Sequence, residues 1–225
     1  MKTLKNTFKI TAMLLVLLSF AACKKNNSAL ELPLEEQIDF TQYCIVEKGK
    51  ALSANNPIAL YLLTFNADGE CIMINVQGEY ILKYTYEKGI LKIYSGSGAA
   101  RSEYKIENKK IVSSTGNDES FKPELIKVPV SNQLIGSSYY SGNWKTEGST
   151  IVQPSNLKFT ETQFGETSSN EPIPNKSYIL RKNIAAKSTE NGIMSFWILV
   201  NGKIEAQRIN FNPTTKWYTA QYKKL

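Results

Sequence analysis

Glu79-Tyr-Ile-Leu-Lys-Tyr-Thr-Tyr-Glu87 alternates without a break: Tyr80, Leu82, Tyr84 and Tyr86 fall on one side, and Ile81, Lys83 and Thr85 on the other. Side chains of an extended strand point to opposite faces in turn, so this stretch reads as an antiparallel strand with one face buried and one wet. Gln77-Gly78 and Lys88-Gly89 bracket it as turns. Working outward, runs rich in Ile, Val, Tyr and Thr recur at 41–47, 58–65, 70–76, 90–95 and 102–107. Lys48-Gly49, Ala54-Asn55-Asn56-Pro57, Asp68-Gly69 and Ser95-Gly96-Ser97-Gly98 separate them. The second half uses the same grammar at 157–161, 177–182, 193–200, 203–210 and 215–222. Ile193–Val200 (IMSFWILV) is apolar on both faces, which puts it in the middle of a covered sheet and makes Trp197 a core residue.

The periodicity predicts an all-β chain of antiparallel sheets. The halves share anchors in one order. Leu63-Thr-Phe65 before Gly69-Glu70 answers Leu157-Lys-Phe159 before Gly165-Glu166, and Tyr80-Ile-Leu-Lys83 answers Tyr178-Ile-Leu-Arg181. Gly89-Ile90-Leu91 and Gly192-Ile193-Met194 each precede an isoleucine, Ile106 and Ile209. This order points to a duplicated β unit, built either as two related modules or as one larger sheet system. The expected organisation is a leader at 1–22, a tether at 23–37, a first β module at 38–114, a linker with Pro123 and Pro129 at 115–131, and a second β module at 132–225. Gly142-Asn143-Trp144 opens the second module and resembles the G-x-W entry of lipocalin-like barrels. That resemblance implies a barrel whose floor is closed by Trp144 beside a basic residue late in the chain, Arg208 or Lys216.

At the other end of the chain, Lys2, Lys5 and Lys9 precede an apolar run, Ile10 to Leu18, and Ser19-Phe20-Ala21-Ala22-Cys23 follows. A basic head, a short apolar middle and a small-residue end form an export signal. The stretch is too short for a permanent span, which needs about 20 apolar residues. Ala21-Ala22-Cys23 resembles the lipobox of bacterial lipoproteins, with Phe20 where Leu is usual. The resemblance implies that Cys23 becomes an acylated N-terminus; acyl methylenes contribute about 0.8 kcal/mol each, so such an anchor holds without inserted protein. An ordinary secretory signal cut after Ala21 is the competing reading. Lys24 after the cysteine suits outer-membrane sorting by the same resemblance.

Removal of the leader takes three lysines from a chain of net charge +7, leaving +4. No dense basic stripe marks a nucleic-acid groove. The chain contains no histidine, which removes Ser-His and Cys-His nucleophile pairs and the common His-containing zinc sites. Cys44 and Cys71 remain for an oxidising compartment, as a disulfide or as two separate buried thiols. A bridge across this loop of about 27 residues would contribute roughly 3 to 4 kcal/mol.

Chemical motifs are sparse. Ser102-Glu-Tyr-Lys105 and Ser155-Asn-Leu-Lys158 fit S-x-x-K, but on strands residues three apart point to opposite faces. Asp68, Glu70 and Glu166 sit beside turn glycines and would serve glycoside hydrolysis only if two of them faced each other across a cleft. Tyr139, Tyr140, Trp144, Trp217 and Tyr218 could stack on sugars, bases or acyl chains if exposed. The expected function is that of a lipid-anchored, non-enzymatic β-protein of the cell envelope, at the outer membrane. It has no catalytic, metal or cofactor residues, and its partners are the membrane, through the acyl chains, and a small ligand or an envelope protein. The alternative is a carbohydrate-binding or carbohydrate-degrading accessory lipoprotein.

Overall fold

Eight short strands follow one another in the first half: Tyr43–Lys50 (β1), Ile58–Phe65 (β2), Glu70–Ile74 (β3), Glu79–Glu87 (β4), Ile90–Tyr94 (β5), Ala100–Glu107 (β6), Lys110–Thr115 (β7) and Glu124–Lys127 (β8). The structure, a computed structural model, describes residues 37–50, 58–116, 121–136, 138–146 and 148–225. The leader and Cys23 lie outside the described residues. β1 to β7 form an antiparallel meander, and β8 pairs back onto β1 to curl the sheet into a nearly closed barrel. Of the stretch expected as a linker, Glu124–Lys127 is therefore a wall strand of this barrel.

Nine strands make the second sheet: Tyr140–Thr146 (β9), Val152–Phe159 (β10), Gln163–Thr167 (β11), Lys176–Ser177 (β12), Ile179–Arg181 (β13), Ala185–Glu190 (β14), Ile193–Val200 (β15), Lys203–Asn210 (β16) and Lys216–Lys224 (β17). The ladder runs from β12 through β11, β10, β9, β17, β16, β15 and β14 to β13. Since β12 continues through Tyr178 into β13, the two ends of this ladder meet. The alternation of β4 is the half-buried pattern expected of it, odd positions exposed and even ones partly buried.

Three apolar clusters hold the fold. One fills the first barrel, with Ile45, Tyr61, Leu63, Met73, Leu91 and Tyr104 among its members. A second fills the other barrel around Trp144, Leu157, Phe159, Phe164, Trp197 and Tyr222. The third lies between them, where the outward faces of β1 to β3 (Cys44, Val46, Leu60, Leu62, Ile74) meet those of β14 to β16 (Ala185, Phe196, Ile198, Ile209). Strands β2 and β15 are apolar on both faces because each lines a barrel with one face and this joint with the other. Polar contacts cross the joint too: Gln207 receives the Leu60 amide at 3.1 Å and donates to the Ile58 carbonyl at 2.7 Å, and Lys48 meets Glu205 at 3.1 Å. Residues Glu36–Leu225 accordingly form one compact unit.

Each barrel is plugged where the chain enters it. A 3-10 turn, Phe40–Gln42, is capped by Asp39, which accepts from the Thr41 amide at 3.1 Å. It drives Phe40 against Phe65, Tyr84 and Tyr86, with ring centroids 5.0 to 5.9 Å apart. Before β9, Leu134 is buried in the second core, and its segment is fastened by the Gln133 amide to Asn183 O at 2.8 Å and by Asn132 to the Tyr178 hydroxyl at 2.8 Å.

Of the repeat anchors, Leu63 and Phe65 stand on the second strand of their meander, as Leu157 and Phe159 do. Tyr80 and Tyr178 both belong to the fourth strand or its break. Gly89 opens the fifth strand of the first barrel, whereas Gly192 opens the sixth of the second, so the last pair stands one strand out of step.

Candidate functional site

Both barrels carry a buried carboxylate and an arginine. In the second barrel the centre is Glu166 on β11, whose inward phase is set by Phe164 two residues earlier. It accepts from Trp144 Nε1 at 2.6 Å, Ser155 Oγ at 2.7 Å and Tyr222 OH at 3.2 Å, and it pairs with the Arg208 guanidinium. The Arg208 guanidinium also lies 4.2 Å from the Trp144 ring centroid and donates to Ser195 Oγ at 2.9 Å. Burial alone would push the Glu166 carboxyl up, but Arg208 and the Trp144 and Ser155 donors override it and hold the group below the usual carboxylate range. Gly142, two residues before Trp144, is required by close approach: a Cβ there would stand 2.4 Å from Gln221 O and 2.9 Å from the Tyr222 ring. Of the two basic residues expected beside Trp144, Arg208 is the one present; Lys216 is exposed on β17.

In the first barrel the carboxylate is Glu47 on β1, 1% exposed and bonded by the Tyr104 hydroxyl at 2.5 Å. Arg101 stacks 4.7 Å from the Tyr61 ring centroid. Burial raises Glu47 above its ordinary value, and the Tyr104 hydrogen bond and the Arg101 charge offset only part of that. The same surroundings push the Tyr104 hydroxyl well up. Unlike Glu166, this cluster is incompletely satisfied. Asn75 Nδ2, Arg101 Nε and Ser102 Oγ are buried without a hydrogen-bond partner.

Clefts open on the outside of the protein among the described residues. One, of about 480 Å³, follows β7 and is lined by Ile111–Gly116 and Phe121–Pro123, where the first barrel is split: β7 and β8 are the two ends of the ladder and share no hydrogen-bonded pairing among the described residues. Another, of about 390 Å³, opens between the barrels, with Glu79 on one side and Ile179, Arg181, Lys187 and Thr189 on the other. Arg181 donates to Glu79 Oε1 from Nε at 3.0 Å and Nη2 at 2.5 Å, tying the two walls together. Lys187 is half-buried, and burial, helped by the Arg181 charge and opposed by Glu79, pulls its ammonium pKa down.

Cys44 and Cys71 are not joined; both are buried free thiols. Cys44 stands opposite Thr64, and Thr64 opposite Ile72, so two strand spacings, roughly 10 Å, separate the level of Cys44 from the strand of Cys71. They also face opposite sides of the sheet. Cys44 points into the joint, where Sγ donates to Ile126 O at 3.7 Å, and Cys71 points into the first barrel. A disulfide requires Cα atoms within about 7 Å and converging Cβ vectors. Burial pushes the Cys44 thiol up to about 12 and Cys71 higher still.

The remaining sequence candidates are dispersed. Asp68 sits exposed at the turn before Glu70, Glu70 binds Lys83 at 3.0 Å and Asn66 at 2.9 Å, and Glu166 is held inside the second barrel by Trp144 and Ser155, so Glu166 faces neither of the other two. Tyr140 and Trp144 are buried, Tyr139 is half-buried, Trp217 packs at the joint and Tyr218 against the second core. Ser102 is buried while Lys105 is exposed, and Ser155 faces Glu166 while Lys158 pairs with Glu171 outside. Among the described residues no group of acids and cysteines is placed to hold a metal ion. Sequence reasoning missed Glu47, Arg101 and Lys187. Glu47 was legible in phase, since it continues the inward set Tyr43, Ile45 on β1. No family model matches the chain, and neither a curated protein nor a solved structure matches it.

Proposed function

We propose that this protein is a lipid-anchored, non-enzymatic binding module of the cell envelope, which takes an extended segment of a partner polypeptide at the split wall of its first barrel. The N-terminal signal and Cys23 support the anchor, and the polar start of the 23–37 stretch supports a tether between lipid and fold. Among the described residues no helix is long and apolar enough to cross a membrane.

The observation that carries the binding reading is the edge of β7, which has no strand partner among the described residues. Large side chains occupy both barrel interiors, which favours recognition on the outside. An edge strand presents backbone N–H and C=O groups that another strand can complete, and proteins generally blunt such edges. Here β7 keeps Val112, Ser113 and Thr115 exposed beside a 480 Å³ cleft. Strand addition would supply affinity through the main chain, and alternate side chains would seat in the cleft.

Selection of a phage-displayed random heptapeptide library on the folded protein, followed by amide hydrogen exchange, tests this. The reading expects enriched peptides that slow exchange at the outward amides within Ile111–Thr115. Peptides that protect other surfaces, or a selection that enriches none, would overturn it.

A further inference from the structure

We propose that the cleft between the barrels binds a small monocarboxylate carried on an apolar body, with Lys187 as its counter-ion. The register builds the site. Ile179 stands directly opposite Lys187, and Arg181 opposite Ala185, so Ile179, Arg181 and Lys187 share the outer face of β13 and β14. Glu79 faces them from β4 of the first barrel. The cavity of about 390 Å³ falls within the 300 to 1,000 Å³ range of small-molecule sites.

Charge chooses the ligand. Arg181 and Lys187 against Glu79 leave one positive charge in the cleft. The Arg181 fork is already taken by Glu79, whereas the Lys187 ammonium has no hydrogen bond or ion pair among the described residues. A half-buried cation loses hydration, which the Glu79 charge offsets only in part until an anion arrives. Phosphate and sulfate groups are favoured by bidentate guanidinium forks, and none is free here. A single ammonium suits a single carboxylate. Ile179, 55% exposed on the same face, supplies an apolar wall for the rest of the molecule. Fatty and sugar acids share the carboxylate, and the apolar wall selects the former. The site is separate from the β7 edge, so it stands or falls independently of strand addition.

Titration of the folded protein, followed by the methyl resonance of Ile179 and the side-chain signal of Lys187, tests this with four probes: octanoate, octanol, glucuronate and inorganic phosphate. Octanoate is expected to shift both signals with a millimolar or tighter Kd, to bind more tightly than glucuronate, and to displace nothing from the β7 edge. Octanol and phosphate are expected to leave the Lys187 signal unmoved. Lys187→Met should weaken octanoate by about tenfold or more, and Lys187→Arg should retain it. Silence of the Ile179 methyl toward octanoate in the unsubstituted protein would overturn the proposal, whatever the variants do. So would equal octanoate affinity in Lys187→Met, or tighter binding of glucuronate or phosphate.

Discussion

Arg208→Met isolates the buried network of the second barrel. The Arg208 and Glu166 side chains are 19% and 14% exposed, so their pairing is largely withdrawn from water. Methionine approximates the aliphatic stem but leaves Glu166 with the Trp144, Ser155 and Tyr222 donors and no countercharge. Breaking a buried pair by removing one partner costs about 3 to 5 kcal/mol, because a carboxylate stays desolvated and unpaired. Loss of the guanidinium from the Trp144 face contributes up to about 2 kcal/mol of that. The pairing lowers Glu166 in the folded state, so its contribution is full above the ordinary carboxylate value near 4.3 and is lost as pH falls through the folded value. Urea unfolding followed by tryptophan fluorescence should therefore show a loss of about 3 to 5 kcal/mol at pH 7 that shrinks toward pH 3, and Glu166→Gln combined with Arg208→Met should recover much of it. A penalty below about 1 kcal/mol at pH 7, or one independent of pH, would refute the assignment of this pair as the charged centre of the barrel.

Three further outcomes follow from the packing. Phe196→Ala removes a ring from the joint between the barrels and should cost about 3 to 5 kcal/mol. Because that cluster is shared, fluorescence from Trp144, Trp197 and Trp217 should still report the same single transition as far-ultraviolet circular dichroism; two separated transitions would contradict a unified core. Burial raises Glu47, so its stabilising contribution is complete below the ordinary carboxylate value and is lost as pH rises through the folded value. Glu47→Gln still accepts the Tyr104 hydroxyl without a charge and should raise stability by about 1 kcal/mol at pH 7 and by little at pH 4, as read by thermal melts at both. Cys44 and Cys71 should resist iodoacetamide at pH 8 until urea is added, and intact mass should show both reduced; a loss of two hydrogens would place a bridge where the strands forbid one.

The alternation of Glu79–Glu87 and the doubly apolar Ile193–Val200 were readable because each side chain there obeys one environment per face. Strands β9 (YSGNWKT) and β14 (AAKSTE) were not: Gly, Ser, Asn, Ala and Lys carry little strand preference, and their ladders come from neighbours distant in sequence. β8 was hidden among prolines for the same reason, since only β1 recruits it. The sequence left Cys44 and Cys71 open between a bridge and two separate thiols because β1 to β3 are covered on both sides, by the first barrel's interior and by the second barrel. Apolar phase cannot separate two buried faces, and Cys44 follows Val46 outward while Cys71 follows Met73 inward. The Trp144–Arg208 contact was legible from the G-x-W, whereas Glu166, noticed only as a turn-side acid, shows its role once β11 turns it inside. Lys187 and Glu79 lie on different barrels, and no local pattern in the sequence unites them.

Intact-mass analysis of the chain recovered from the organism that makes it tests the anchored role most directly. The account predicts a mature protein in the membrane fraction beginning at Cys23 and heavier than its sequence by a diacylglyceryl group and an amide-linked acyl chain. A freely soluble chain cut after Ala21, or one carrying Cys23 as an unmodified thiol, would contradict it.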